Sequence, residues 1–278
     1  MILSIASGKG GTGKTTVAVN MALSLKDVQL LDCDVEEPNV HLLLHPNISE
    51  EKTVYVPTPQ VNEELCDHCG KCGEFCQSNA IFVSSEKVLV FPELCNSCGG
   101  CVIVCPRTAI SEEQHRIGTL KCGSAGDLEV VYGELDVGEP MAVPVINEVK
   151  RQIKCGKTVI LDSPPGTSCP AIETVKGSDF CVLVTEPTPF GLHDLDITVQ
   201  VLEDMEIPFG VVVNRAGIGD KKVYEYCEEK NIPILLEIPH QRKIAELYSK
   251  GISFSLEMPE WKPKFQTLFD EARKLAGK

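Results

Sequence analysis

An α/β fold, a mostly parallel sheet with helices on both faces interrupted by a small α+β insert, is predicted by three features of this sequence. Short apolar runs alternate with helical patterns along most of its 278 residues. A glycine-rich loop at residues 8–15 joins the first apolar run to the first helical pattern. Residues 57–116 break the alternation and carry eight of the 14 cysteines.

The elements follow in order. Residues 2–7 (ILSIAS) form a short apolar run suited to a buried strand, and 16–25 place Val17, Met21, Ala22 and Leu25 on one helical face. Residues 28–32 read as a second strand. Further apolar runs at 158–162, 180–185, 209–214 and 232–238 are bounded by Gly, Pro, Asn or Asp, with helical patterns at 192–205, 221–230 and 244–250. Continuous apolar strands alternating with helices indicate a parallel sheet covered on both faces. Two β-prone runs, 120–123 and 128–135, are separated by glycine-containing sequence and predict a hairpin. Pro57 and Pro59 mark the start of the insert. The predicted division is therefore 1–56 and 117–278 for the α/β domain, with 57–116 inserted. Trp261, Phe265, Leu268, Phe269, Ala272 and Leu275 make an apolar stripe on a terminal helix, which predicts packing onto the core rather than stable membrane binding.

Composition narrows the function classes. The chain has 40 acidic and 26 basic residues, a formal net charge of −14. Nucleic-acid phosphate binding runs on clustered Lys and Arg, so that balance argues against it, and against anionic membrane. No apolar run is long enough for a transmembrane helix, and the first residues lack the basic region and cleavage site of a secretory signal. The expectation is a soluble cytoplasmic protein, in whose reducing surroundings spaced cysteines read as metal ligands rather than disulfides.

Residues 8–15 read GKGGTGKT and fit G-x-x-x-x-G-K-[ST], with Gly8, Gly13, Lys14 and Thr15 in the fixed places. Gly8, Gly10, Gly11 and Gly13, with Thr12 between them, let backbone N–H groups turn inward around phosphate oxygens. The helix that follows, through Thr15 and Thr16, offers its positive end. Lys14 is expected at the β and γ phosphates of ATP and the Thr15 hydroxyl on Mg²⁺.

Lys9 is a second lysine inside the loop. The run K-G-G-T-G-K-T resembles the deviant Walker A of the MinD/ParA/nitrogenase-iron-protein family of P-loop ATPases. That resemblance implies a homodimer with ATP at the interface, Lys9 reaching across to the partner's nucleotide. Residues 32–39 (DCDVEEPN) look like the family's switch I, which would give Asp34 the attacking water. Residues 159–166 (VILDSPPG) look like its Walker B and switch II, with Asp162 holding Mg²⁺ through a water. Asn214 resembles the family's base-contacting residue. His240 and Gln241 depart from the acidic ending expected of the second base loop, so no contact is assigned there.

The insert contains a repeat. Cys66, Cys69, Cys72 and Cys76 follow C-x₂-C-x₂-C-x₃-C, and Cys95, Cys98, Cys101 and Cys105 repeat it. This is the bacterial ferredoxin run, in which the fourth cysteine ligates the other cluster. The expected [4Fe–4S] ligand sets are Cys66, Cys69, Cys72 and Cys105 for one cluster, and Cys95, Cys98, Cys101 and Cys76 for the other. Gln77 stands where the first run would carry proline, which removes no ligand. Cys181 reads as a core thiol. Cys33, Cys155 and Cys227 have no companion at ligand spacing. Cys122 lies in the hairpin, and Cys169, just after switch II, is either an ordinary thiol or part of a third site like the iron protein's bridging cluster.

The whole resembles a MinD-superfamily ATPase with an inserted two-cluster ferredoxin domain. Three functions are consistent with it. The first is an ATP-gated electron donor to a redox partner with a basic docking patch. The second is an iron–sulfur or metal-centre assembly or carrier ATPase, and the third a regulatory ATPase that senses redox state. Eight retained cysteines favour the first.

Overall fold

The computed structural model describes every residue, Met1–Lys278. In chain order the elements are β1 (Ile2–Ala6), α1 (Lys14–Ala22), β2 (Val28–Asp32), α2 (Val40–Leu44), β3 (Asn47–Val61), α3 (Lys71–Phe75), β4 (Ile81–Val83), β5 (Val88–Val90), α4 (Gly100–Val104), β6 (Ile110–Ala125), β7 (Leu128–Leu135), α5 (Ala142–Lys150), β8 (Thr158–Asp162), α6 (Cys169–Val175), β9 (Phe180–Thr185), α7 (Pro189–Asp204), β10 (Phe209–Ala216), α8 (Lys222–Glu229), β11 (Ile234–Pro239), α9 (Arg242–Tyr248), α10 (Phe254–Glu257) and α11 (Trp261–Leu275).

Nine strands form one sheet in the order β11-β10-β9-β1-β8-β2-β7-β6-β3. The seven from β11 to β7 run parallel, and β6 and β3 complete the edge antiparallel to their neighbours. Residues alternate between two faces along each strand, and both faces are apolar. Leu3, Ile5, Leu30 and Ile160 pack with α1 and α11 on one side. Leu31, Val159 and Leu161 pack with α5 on the other, and Leu183 and Val211 join α7 and α8 there. Burial on both faces is why these strands read as unbroken apolar runs.

α11 docks through Trp261, Phe265, Leu268 and Ala272, all buried against the core that also holds α1. Each of the three large side chains contributes about 1.5–3 kcal/mol by leaving water. No helix is long and apolar enough to cross a membrane.

The edge holds the main departure from the sequence reading. β3 and β6 pair over their whole length, from Asn47 opposite Ser124 to Val61 opposite Ile110. β7 supports β6 only from Gly118 onward. Beyond that point Tyr55–Val61 and Ile110–Arg116 form a two-stranded arm carrying the cysteine-rich segment. Pro57 and Pro59, read as the start of the insert, lie inside β3, opposite Gln114 and Glu112. Proline is tolerated there because the strand is an edge whose N–H groups need not serve a further neighbour. At the arm's root the register shifts between Val54 and Tyr55, so Ile117 is an extra, fully buried residue on β6.

Candidate nucleotide site and cysteine cavities

The loops after β1, β2, β8, β9 and β10 meet at the carboxyl end of the parallel strands, where open α/β sheets bind ligands. Residues 8–13 form the loop after β1. Gly11 and Gly13 have φ of +79° and +94°, a left-handed conformation that a side chain would strain. A Cβ on Gly13 would also meet Asn214 Nδ2 at 2.4 Å, and one on Gly8 would meet the Asp194 carbonyl oxygen at 2.3 Å. The loop is therefore clasped from both sides. Asn214 Nδ2 donates to the Thr12 carbonyl at 2.7 Å. Lys14 is buried at the start of α1, Thr12 is buried with an unpartnered hydroxyl, and Thr15 and Thr16 are half-buried. Gly10 and Gly11 are exposed.

Two aspartates end adjacent strands. Asp32 on β2 and Asp162 on β8 are register partners, and both are buried. Asp32 accepts backbone N–H groups from Asp34 (3.0 Å), Asn39 (2.9 Å) and Val40 (3.0 Å), so it shapes the 33–39 loop and anchors α2. The sequence reading overlooked this role, because only the fold shows which of two nearby aspartates turns inward. Neither oxygen of Asp162 has a hydrogen-bond partner. Burial pushes the Asp162 carboxyl up, and Asp32 adds to this, while Thr15 and Lys14 beside it pull the other way. A bare buried carboxylate next to a lysine and a hydroxyl suits a cation bound with phosphate. Asp34 is half-buried; burial raises it to about 6, against the pull of Lys14 and the Glu37 N–H.

The segment after β8 returns to the loop. Gly166, at φ +86°, donates its N–H to the Ser7 carbonyl at 2.9 Å. A cleft of about 400 Å³ opens between residues 33–37 and 164–170, lined also by Ala142 and Ile146 of α5. Lys9 lies within 3.4 Å of Glu186 at the end of β9, and Arg215 Nη1 lies 2.7 Å from the same carboxylate. That triad carries no motif signal.

The cysteine repeat is also a conformational repeat. Gly70 and Gly99 are left-handed caps preceding α3 and α4. His68 and Ser97, then Asn79 and Thr108, adopt positive φ at matching places. The Ala80 N–H donates to Cys76 Sγ and the Ala109 N–H to Cys105 Sγ, both at 3.3 Å. The structure brings the cysteines together in two groups. Cys66, Cys69, Cys72 and Cys105 line one cavity. Cys76, Cys95, Cys98 and Cys101 line another. Each fourth cysteine crosses to the other half. No three His, Cys, Asp or Glu side chains converge tightly enough to grip one metal ion. Each group nonetheless supplies four thiols, the donor set that a [4Fe–4S] cluster takes. Cys33, Cys181 and Cys227 are buried in the cores; Cys155 and Cys169 are exposed, Cys122 half-exposed, and none lines either cavity.

Comparison with known proteins agrees with this architecture. Residues 3–254 match the CobQ/CobB/MinD/ParA nucleotide binding domain. An uncharacterized protein of Methanocaldococcus jannaschii is 30% identical over 264 residues, 91% of each chain. An iron–sulfur cluster carrier protein of Aquifex aeolicus is 24% identical, covering 93% of this chain and 63% of the carrier. Among solved structures, the septum site-determining protein MinD of Pyrococcus horikoshii, complexed with Mg-ADP, superposes with a TM-score of 0.62 at 22% identity over 99% of this chain and 97% of that one. The chain belongs to the CobQ/CobB/MinD/ParA family of P-loop nucleotide-binding domains.

Proposed function

We propose that this chain is an ATP-binding and ATP-hydrolysing switch that works as a homodimer, carries two [4Fe–4S] clusters and couples nucleotide state to electron transfer. The observation that carries the reading is the presence of two four-cysteine cavities in the chain that also holds the phosphate loop. Residues 57–116 are then an inserted ferredoxin-like domain. Cys66, Cys69, Cys72 and Cys105 hold one cluster; Cys95, Cys98, Cys101 and Cys76 hold the other. Such clusters supply one-electron chemistry.

On the nucleotide side, Gly8, Gly10, Gly11, Thr12, Gly13, Lys14 and Thr16 cradle the phosphates. Thr15 ligates Mg²⁺ directly and Asp162 does so through water. Asp34 orients the attacking water, and Asn214 turns from Thr12 to the base. Lys9 crosses to the second subunit and offsets charge on the transferred phosphoryl group, as an arginine finger does. The net charge of −14 favours a redox partner with a basic docking face.

Anaerobic reconstitution tests the reading. The protein should bind about eight irons per chain and show paired [4Fe–4S] signals on reduction. Those signals should respond to MgATP in the native protein and not in Lys14→Ala. Zinc in place of iron, or signals indifferent to nucleotide, would sink it. A second reading, cluster carriage, is favoured by the relatives named as carriers. A carrier should lose its clusters to an apo-protein during turnover; an electron donor keeps them.

A further inference from the structure

Glu186 is a buried carboxylate between two cations. Its Oε2 lies 3.4 Å from Lys9 Nζ and its Oε1 2.7 Å from Arg215 Nη1. Its side chain is 8% exposed, whereas those of Lys9 and Arg215 are 32% and 50% exposed. No aligned hydrogen bond reaches Oε1, so charge alone satisfies that oxygen.

The two sides of the triad differ in rigidity. Glu186 is locked in place. Its carbonyl accepts the Thr188 N–H at 2.8 Å, and a Cβ on Gly191 would lie only 2.2 Å from that oxygen. The next residue, Pro187, accepts the Asp220 N–H at 3.1 Å. Arg215 follows Asn214 and holds φ of +53°, a conformation costly for a residue with a side chain and kept only where its surroundings demand it. Lys9 has its carbonyl held by the Ser7 hydroxyl at 2.6 Å, but it stands beside the exposed Gly10 and Gly11, and its side chain reaches Glu186 at the edge of the site.

That asymmetry determines which contact can break. A buried carboxylate stripped of every cation is costly. With Arg215 in place, Lys9 can leave Glu186 without stranding it. We propose that Glu186 is a positioning residue that holds Lys9 on its own subunit, and that Arg215 takes over the carboxylate when Lys9 crosses to a second copy of this chain. The inference rests on the proposed role of Lys9 in the dimer. It adds a resting state for that lysine and a mechanism for its release.

Sedimentation at saturating MgATP, across a range of protein concentrations, tests it. Glu186→Gln should move the dimerisation midpoint about ten-fold lower, the effect of a weak ion pair broken twice per dimer. Arg215→Ala should move it the other way, because Lys9 would then strand the carboxylate. The double variant should behave like Glu186→Gln alone, since no charge remains to strand. Lys9→Ala should erase the effect of Glu186→Gln. An amine-reactive reagent supplies a readout independent of assembly. Lys9 should react faster in nucleotide-free Glu186→Gln than in the native protein, and equal rates would overturn the proposal. An unchanged or weakened dimer in Glu186→Gln, with Lys9→Ala still impaired, would overturn the role of Glu186 and leave the crossing lysine standing. Full ATP-dependent dimerisation in Lys9→Ala would remove the crossing lysine itself, and this proposal with it.

Discussion

Asp32 and Asp162 face each other on adjacent parallel strands, one carboxylate saturated with three backbone N–H groups and the other bare. The pair stores an electrostatic cost in the nucleotide-free protein, because burial and mutual repulsion both oppose ionisation. Asp162→Asn removes a charge without changing shape. It should stabilise the nucleotide-free protein by about 1–2 kcal/mol at neutral pH and abolish Mg²⁺-dependent hydrolysis. The sign follows from linkage. The folded pKa lies above the unfolded one, so the native carboxylate costs nothing below about pH 4 and progressively more as pH rises toward its folded value. The gain in melting temperature should therefore be smallest near pH 4 and grow as pH rises. A destabilised Asp162→Asn at pH 7 would contradict the account.

Asp34 gives a kinetic prediction with its own pH window. Burial lifts its carboxyl from 3.8 to about 6. If the ionised form orients the attacking water, kcat should stay level above pH 7 and fall as pH drops through about 6. Asp34→Asn should show a low rate with no such inflection. A native profile flat from pH 5 to 8 would show that this carboxylate does not titrate in the rate-limiting step.

The crossed cysteines make a sharper test than iron content. Cys105 lies in the second repeat yet lines the cavity of Cys66, Cys69 and Cys72. Cys105→Ser should deplete that cluster and spare the one beside Cys95, Cys98 and Cys101. Iron should fall from about eight to about four per chain, with loss of the coupling between paired reduced signals. Cys76→Ser should do the reverse. If each serine instead empties the cavity of its own repeat, the crossed assignment is wrong.

How much of this was legible in the sequence depends on how local each signal is. β2, β8 and β9 stand where their apolar runs predict, because a central parallel strand must be apolar on both faces. β3 was missed altogether, its second half because Pro57 and Pro59 were read as the start of the insert and its first half because it lacks an apolar pattern. Asn47–Lys52 reads NISEEK and is exposed, and it is a strand only because β6 supplies a partner. α5 and α6 were also missed, since Pro144 and Pro170 sit within their first turns and obscure the period. α7 starts at Pro189, ahead of the predicted 192, because the Thr188 side chain caps it through the Gly191 N–H. Motif spacing pointed to the phosphate loop and the cysteine runs. It gave no hint of Lys9, Glu186 and Arg215 as a triad, since residues so far apart in the chain meet only through the sheet order.

The arm offers a route between the two halves of the molecule, and one ion pair tests it. The Leu135 N–H donates to the Val35 carbonyl at 2.8 Å, tying the 33–39 loop to the end of β7. The next residue, Asp136, donates its N–H to the bulged Ile117 at 2.9 Å and binds Arg116 twice, Nε at 2.8 Å and Nη2 at 3.2 Å. If the 33–39 loop responds to nucleotide as proposed, these contacts give its movement a path to the root of the arm. The Arg116–Asp136 pair is exposed, so Arg116→Ala should cost less than about 1 kcal/mol of stability. ATP hydrolysis should be unchanged, since no part of the phosphate site is touched. The nucleotide-dependent change in the cluster signals should weaken, because the arm keeps only the His115–Glu139 contact, at 2.9 Å, as a side-chain tie to the segment after β7. Retention of the full response in Arg116→Ala would show that nucleotide state reaches the cysteine-rich segment by another path.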